Sequence, residues 1–280
     1  MDWFINPFIQ NGFMLRALAA GVLVSISAAI VGTFMVLRGL AFIGDALSHG
    51  VLPGIAAALL LNIPGILGAA VGAAVMIGGI SLITQRSRLS ADTAIGLLFV
   101  GMLALGVVIV SRSTAFTGDL VAILFGEVLG IGQSALLIQL AATAVVAATA
   151  VLCYRPFLLL CYNPEQAQVA GFSVRLYHNI MLALIALTVI VSFQTVGTLL
   201  VFGMLLAPAA AGALLARRIG TMMLWAAGLG AAAVYAGLLF SYHFNTAAGS
   251  TIVLVATLIF FAVFFARSAR PAHTAEAAQR

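Results

Sequence analysis

Residues Met14–Leu37 read MLRALAAGVLVSISAAIVGTFMVL and contain one charged side chain, Arg16. A helix needs about 20 apolar residues to cross the hydrocarbon core of a membrane. This run is long enough, and further apolar runs follow at 46–61, 63–83, 93–110, 132–153, 180–200, 201–216, 222–242 and 250–265. The sequence therefore predicts an all-α fold, a polytopic bundle of eight or nine transmembrane helices.

The composition of the 280-residue chain excludes a soluble globule. Hydrophobic residues make up 64% of it and charged residues 7%, and the mean hydropathy is +1.23. A soluble domain needs about a quarter of its residues charged to cover its surface. We therefore expect a single transmembrane domain over 1–266. The polar, Ala-rich stretch 267–280 is expected to be a disordered cytoplasmic tail.

The basic residues are all Arg, and they lie singly or in pairs between the apolar runs. This distribution is typical of membrane loops and predicts no nucleic-acid partner. Nine Arg residues follow the third, fifth, seventh and ninth runs, so the positive-inside rule places those ends in the cytoplasm. Full spanning by 46–61 would place the N-terminus outside. A re-entrant 46–61 would leave eight spans and an N-terminus inside.

The strongest candidate for a binding site is the polar pair Asp45 and His49. Charge within a bilayer is costly, so an acid beside apolar runs indicates function. Positions i and i+4 share a helical face, and carboxylate oxygen with imidazole nitrogen suits Zn²⁺ or Mn²⁺. The alternative is that Asp45 caps a helix and His49 bonds a carbonyl group. Two protein ligands are too few for tight binding, so we expect no stably bound cofactor, and a second copy related by a two-fold axis would double the number of ligands.

Two of the apolar runs are short, and each contains a proline, Pro53 in 46–61 and Pro208 in 201–216. Interrupted segments in transporters often line the pathway, because the freed backbone groups need a polar cavity. The alternative is a shorter helix packed inside the bundle.

Two connections are longer than a turn. The cytoplasmic segment 155–179 contains NPEQAQVAG at 163–171. Proline after Asn163 is typical of a helix start, Glu165 suits the positive end of the helix dipole, and Gly171 is typical of a C-terminal cap. We predict a short helix there, either an ordinary surface helix or a peg that docks into a partner. The segment 111–131 is expected to be amphipathic and to lie at the outer surface.

The sequence carries no catalytic constellation. A Walker A motif needs a lysine, and the chain has none. We therefore do not expect an enzyme, and any ATP-driven work would take place on a separate polypeptide.

The run VLRGLAFIGDALSHGVLPG at 36–54 resembles a signature of permease subunits in the manganese/zinc/iron family of bacterial ABC importers. Residues 163–218 resemble the coupling segment of that family and the helices after it, and the resemblance covers nearly all of 13–266. It implies a type II-like permease in the bacterial inner membrane, with Asp45 and His49 contacting the ion. The motif that couples to the ATPase would comprise Pro164, Glu165, Gln166, Ala167, Ala170 and Gly171.

The resemblance also implies partners. Two permease copies would form the path, two ATP-binding cassette subunits would dock on the coupling segments, and a periplasmic or lipid-anchored solute-binding protein would deliver the metal. The substrate would be Zn²⁺ or Mn²⁺, with Fe²⁺ as a further candidate. The alternatives are a permease for a chelate such as a siderophore or cobalamin, and a secondary transporter that needs no ATPase.

Overall fold

The computed structural model describes residues 2–87, 89–111 and 130–268. Within these ranges the chain forms thirteen α-helices and no β-strand. They are α1 (Asp2–Gln10), α2 (Gly12–Leu37), α3 (Ala41–Gly50), α4 (Leu52–Leu60), α5 (Gly65–Arg86), α6 (Ala91–Ser111), α7 (Gln133–Leu152), α8 (Tyr154–Tyr162), α9 (Pro164–Val169), α10 (Val174–Val196), α11 (Thr198–Leu215), α12 (Ile219–Phe244) and α13 (Ala248–Ser268).

All nine predicted runs are helical. Eight candidate spans are long and apolar enough to cross a membrane, namely α2, α3 with α4, α5, α6, α7, α10, α12 and α13. Helix α11 is a shorter apolar helix between α10 and α12. Helix α3 begins at Ala41, five residues before the predicted run, so Asp45 lies inside a helix. An apolar run in the sequence is interrupted by a charged residue such as Asp45, whereas the backbone hydrogen bonds of a helix continue past it.

Two predicted segments fall mostly outside the described residues. They are the outer connection 111–131 and the tail 267–280, although α13 continues to Ser268.

Helices α3 and α4 together cross the bundle once. A Cβ atom on Gly54 of α4 would meet the carbonyl group of Gly68 on α5, so the two backbones approach closely. One turn earlier, a Cβ on Gly50 would lie 3.3 Å from Met76, farther along α5, so α3–α4 runs antiparallel to α5. Close approach of small residues is the usual packing in lipid, where dispersion and not the hydrophobic effect joins helices.

The orientation follows from the end of α2. Arg38 Nη1 donates a hydrogen bond to the Leu160 carbonyl oxygen at 3.4 Å, which places the C-terminal end of α2 beside α8. The connection that contains α8 and α9 carries Arg155 and Arg175. By the positive-inside rule this side is expected to face the cytoplasm, and because α2 starts at the opposite end, the N-terminus is then expected outside. This is the orientation expected if 46–61 spans fully.

Helix α2 is the most deeply buried of the candidate spans. Gly32 leaves room for the carbonyl group of Leu205 on α11. A Cβ on Gly44 of α3 would lie 3.4 Å from the Leu205 side chain and 3.5 Å from Phe202. Helix α11 therefore packs against both α2 and the back of α3, which fixes the direction of the opposite face of α3.

A buried polar cluster joins three helices of the core. Gln139 on α7 donates to Ser192 on α10 at 3.4 Å, and Thr143 on α7 donates to the Leu23 carbonyl oxygen of α2 at 3.3 Å. Thr188, one turn before Ser192, has a buried hydroxyl with no hydrogen-bond partner. Interhelical bonds of this kind hold transmembrane helices in register.

Candidate metal path and coupling segment

Asp45 and His49 lie one turn apart on the same face of α3, as their spacing predicts. Asp45 Oδ1 and His49 Nε2 are 3.5 Å apart, and the side chains are 35% and 25% exposed. The His49 ring packs edge-on against Phe99 of α6, with ring centroids 5.6 Å apart. The pair therefore points away from α11 and toward α6.

The alternatives for this pair were that Asp45 caps a helix and that His49 bonds a carbonyl group, and neither contact is present in this fold. Leu40, and not Asp45, stands at the N-cap of α3. His49 Nδ1 is buried without a hydrogen-bond partner, so it does not bond a carbonyl group. The neighbouring Ser48 hydroxyl donates to the Gly44 carbonyl oxygen at 2.8 Å, and the side chain is buried, so it does not face the same space as the pair.

A cavity of about 340 Å³ opens beside Asp45. Its lining residues are Phe42, Asp45, Ala46, Asp92, Ile95, Gly96 and Phe99. Asp45 lies in the second turn of α3 and Asp92 in the first turn of α6, so the cavity lies in the half of the bundle where these two helices begin. Two carboxylates from different helices thus face one space, and His49 lies one turn farther along α3.

The sequence pattern does not predict Asp92 as part of this site. An acid in the first turn of a helix is already explained by the helix dipole, and Ser90 caps the helix by accepting from the Thr93 backbone N–H at 3.1 Å. Sequence spacing also cannot show that the starts of α3 and α6 meet. The available signal was an acid at the border of an apolar run, the same signal that Asp45 gives.

Asp45 and His49 do not by themselves make a complete metal site. Within the described residues, no three His, Cys, Asp or Glu side chains are close enough together to hold a metal ion. Asp45 and His49 supply one oxygen donor and one nitrogen donor, fewer than the four or more ligands of a stable zinc or manganese site. The arrangement is suited to transient contact with a cation.

The two prolines are both buried and lie apart from this cavity. Pro53 lacks the amide hydrogen that would continue the helical ladder, and the helix divides into α3 and α4 at Val51. Pro208 lies inside α11. Neither lines the cavity beside Asp45, and their role in a pathway stays a prediction.

The predicted coupling helix is α9, and its start and end are those expected. Asn163 Oδ1 accepts hydrogen bonds from the backbone N–H groups of Glu165 at 2.9 Å and Gln166 at 3.2 Å, and Pro164 begins the helix. Gly171 has a φ of +83°. The N–H groups of Gly171 and Phe172 bond back to the carbonyl groups of Gln168 and Ala167, which is the Schellman motif.

The predicted coupling residues divide between two faces of α9. Ala167 is buried against the body of the protein. The other five are exposed, namely Pro164, Glu165, Gln166, Ala170 and Gly171. Val169, which is not among the predicted coupling residues, is 90% exposed. Ala167 therefore seats the helix, while an otherwise polar surface with one apolar side chain projects from the cytoplasmic side.

A family model described as the ABC 3 transport family matches residues 10–267. The chain belongs to this family. Membership confirms the resemblance to permease subunits of metal-ion ABC importers, the all-helical fold and the multi-pass location in a bacterial membrane.

Several members with similar sequences carry transport descriptions. The chain is 38% identical to the manganese transport system membrane protein MntC of Listeria innocua, over 93% of each chain. It is 37% identical to the manganese import system permease protein ScaB of Streptococcus gordonii, over 93% of this chain and 95% of that one. It is 36% identical to a probable iron transport system membrane protein of Haemophilus influenzae, over 92% and 95%.

Two solved structures are similar to this one. PsaBC from Streptococcus pneumoniae, solved in complex with Fab, matches with a TM-score of 0.84 and 34% identity over 94% of each chain. An inward-facing, putative metal-chelate type ABC transporter matches with a TM-score of 0.71 and 15% identity, over 91% of this chain and 85% of that one. At that identity the second likeness shows a common fold alone.

Proposed function

We propose that this family member is the membrane-spanning subunit of an ATP-driven importer for a divalent metal ion, with Mn²⁺ as the first candidate substrate. The observation that carries the proposal is the Asp45–His49 pair on one face of α3, beside a cavity that Asp92 also lines. The manganese and iron descriptions of the similar family members support the substrate class. Zn²⁺ is the second candidate, because it accepts the same ligands.

A second copy of the chain would complete the site. Under a two-fold axis, two Asp45 carboxylates and two His49 imidazoles would face a common path, which doubles the donors that one protomer offers. A path needs a site that binds well enough to accept the ion and weakly enough to release it. Few ligands from each protomer meet that need.

The energy would come from two ATPase subunits, since the chain has no lysine for a Walker A motif. Helix α9 is suited to receive them because its exposed residues project from the cytoplasmic side and both of its ends are capped. ATP binding would draw the ATPases together, and the permeases would rock between outward and inward access. A solute-binding protein would deliver the ion at the outer side.

The test is uptake of Mn²⁺ by proteoliposomes that contain the permease, its ATPase and the binding protein. We expect Asp45→Asn and His49→Ala to lose uptake while the complex still assembles. Ser48→Ala is the matched control, because its hydroxyl bonds only to its own helix. Competition by Zn²⁺ and Fe²⁺ then ranks the metals.

Three outcomes would contradict the proposal. They are normal uptake by a variant with both substitutions, ion movement by the purified permease without ATPase, and uptake of a siderophore or cobalamin in place of the free ion. The second outcome would indicate a secondary transporter, and the third a chelate permease.

A further inference from the structure

Arg38 connects the end of α2 to the segment that carries α9. Its Nη1 donates to the Leu160 carbonyl oxygen of α8 at 3.4 Å, across a large separation in sequence. The side chain is partly buried, and no carboxylate of the described residues lies within 4 Å of the guanidinium. Burial raises the pKa of the nearby Cys161 thiol to about 11, so this thiol is neutral at cytoplasmic pH and is no counter-ion. The partly buried guanidinium charge of Arg38 is therefore stabilised by the Leu160 carbonyl group.

The backbone after Arg38 is locked to α3. Gly39 has a φ of +65°, and its N–H bonds to the Val36 carbonyl oxygen at 3.1 Å. The N–H of Leu40 bonds to the Met35 carbonyl oxygen at 3.0 Å, which completes a second Schellman motif. Helix α3 begins at the next residue, so a displacement of Arg38 displaces the turn of α3 that carries Asp45.

Aromatic rings join the other side of this connection to α9. Phe172, which closes the Schellman motif of α9, packs against Tyr177 of α10 with centroids 5.6 Å apart. Tyr177 lies 6.4 Å from Phe157 of α8, and Phe157 lies 5.2 Å from Phe34 of α2. Phe34 and Phe157 are fully buried. The contacts therefore run without a gap from the end of α9 to the last turn of α2.

The ring contacts and the Arg38 hydrogen bond differ in the movements that they resist. Packed rings resist approach, because a filled core is nearly incompressible. When the rings separate they lose many small atom-pair attractions, but these have no preferred direction, so the rings can slide past one another at little cost. A charge-assisted hydrogen bond resists separation and is directional.

We propose that Arg38 is the positioning residue that makes α3, with Asp45 and His49, follow α8 and α9 when these are pulled toward the cytoplasm. This inference rests on the proposed function, because it needs an ATPase that moves α9. Without Arg38, α9 keeps its seat at Ala167 and α3 keeps its metal-binding face. Hydrolysis and metal binding then both persist but are no longer linked.

The experiment measures metal ions taken up per ATP hydrolysed, in proteoliposomes that contain the whole complex and Mn²⁺. The variant is Arg38→Gln, which keeps a donor but loses the charge. Arg16→Gln is the control, since Arg16 is an exposed arginine at the opposite end of α2. We expect Arg38→Gln to hydrolyse ATP within about twofold of the unaltered complex and to transport at least about fivefold fewer ions per ATP, because a neutral donor forms a weaker hydrogen bond than a charged one. Arg16→Gln should keep the normal ratio.

Arg38→Lys keeps the charge but loses the planar guanidinium group. We expect this variant to transport an intermediate number of ions per ATP and to keep the melting temperature of the unaltered protein. If Arg38→Gln fails to assemble, this variant decides the matter. A normal ratio in either Arg38 variant overturns the inference, as does a loss of ATPase binding, which would show a merely structural role. If the unaltered complex neither binds the ATPase nor imports Mn²⁺, the proposed function itself fails.

Discussion

If the ATPase docks on α9 as proposed, removal of the cap of α9 should weaken that docking without unfolding the permease. The perturbation is Asn163→Ala, which deletes the oxygen that accepts the N–H groups of Glu165 and Gln166. Loss of such a cap costs about 1 kcal/mol of helix stability. Helix α9 has six residues and only Ala167 is buried, so it has little other stability in reserve.

The magnitude follows from the fraction of molecules in which α9 is formed. If α9 is close to the point where it frays, about 1 kcal/mol lowers that fraction by up to about fivefold, and the dissociation constant for the ATPase rises by the same factor. The melting temperature of the permease should not change, because the core contains only one residue of α9.

The assay is titration of labelled ATPase onto the permease in lipid nanodiscs. Asn163→Asp is the matched control, since a carboxylate accepts the same two bonds and also suits the positive end of the helix. It should bind within about twofold of the unaltered protein. Equal affinities for the Ala and Asp variants would refute the reasoning, because the cap would then play no part in docking.

Three other predictions concern the bundle and the cavity. Gly54→Ala should lower the melting temperature by the equivalent of about 1–3 kcal/mol, since its Cβ would meet the Gly68 carbonyl group, whereas Gly228→Ala has open space and should not, as thermal unfolding in detergent will show. Thr188→Val should leave stability unchanged or raise it by about 1 kcal/mol in the same assay, because it removes a buried hydroxyl that has no partner. Asp92→Asn should reduce Mn²⁺ uptake, and normal uptake would exclude Asp92 from the path.

The transmembrane helices and both caps of α9 could be predicted from the sequence, because each depends on neighbours along the chain. Apolar runs of sufficient length must be helical in lipid, and Asn163 and Gly171 act on backbone groups within a few residues of themselves. The shared face of Asp45 and His49 follows from helical geometry in the same way.

The features that join distant segments could not be predicted. Asp92 becomes a site residue only because α6 starts beside α3, and Arg38 becomes a connection only because α8 folds under α2. Ala167 could be placed in the motif, but its burial depends on what lies beneath α9. Sequence patterns within a few residues predict where a helix begins and ends, whereas tertiary packing determines which other segments those ends contact.

Two exposed glycines have a consequence for how this protein tolerates mutation. Gly39 and Gly171 have no neighbouring atom within 4 Å of where a side chain would begin, so by contact alone any residue would fit. Their φ values of +65° and +83° exclude most residues that have a Cβ, at about 1–2 kcal/mol each. In a saturation library selected for metal uptake, the codons of these two exposed glycines should therefore be depleted of substitutions, unlike the codons of other exposed residues.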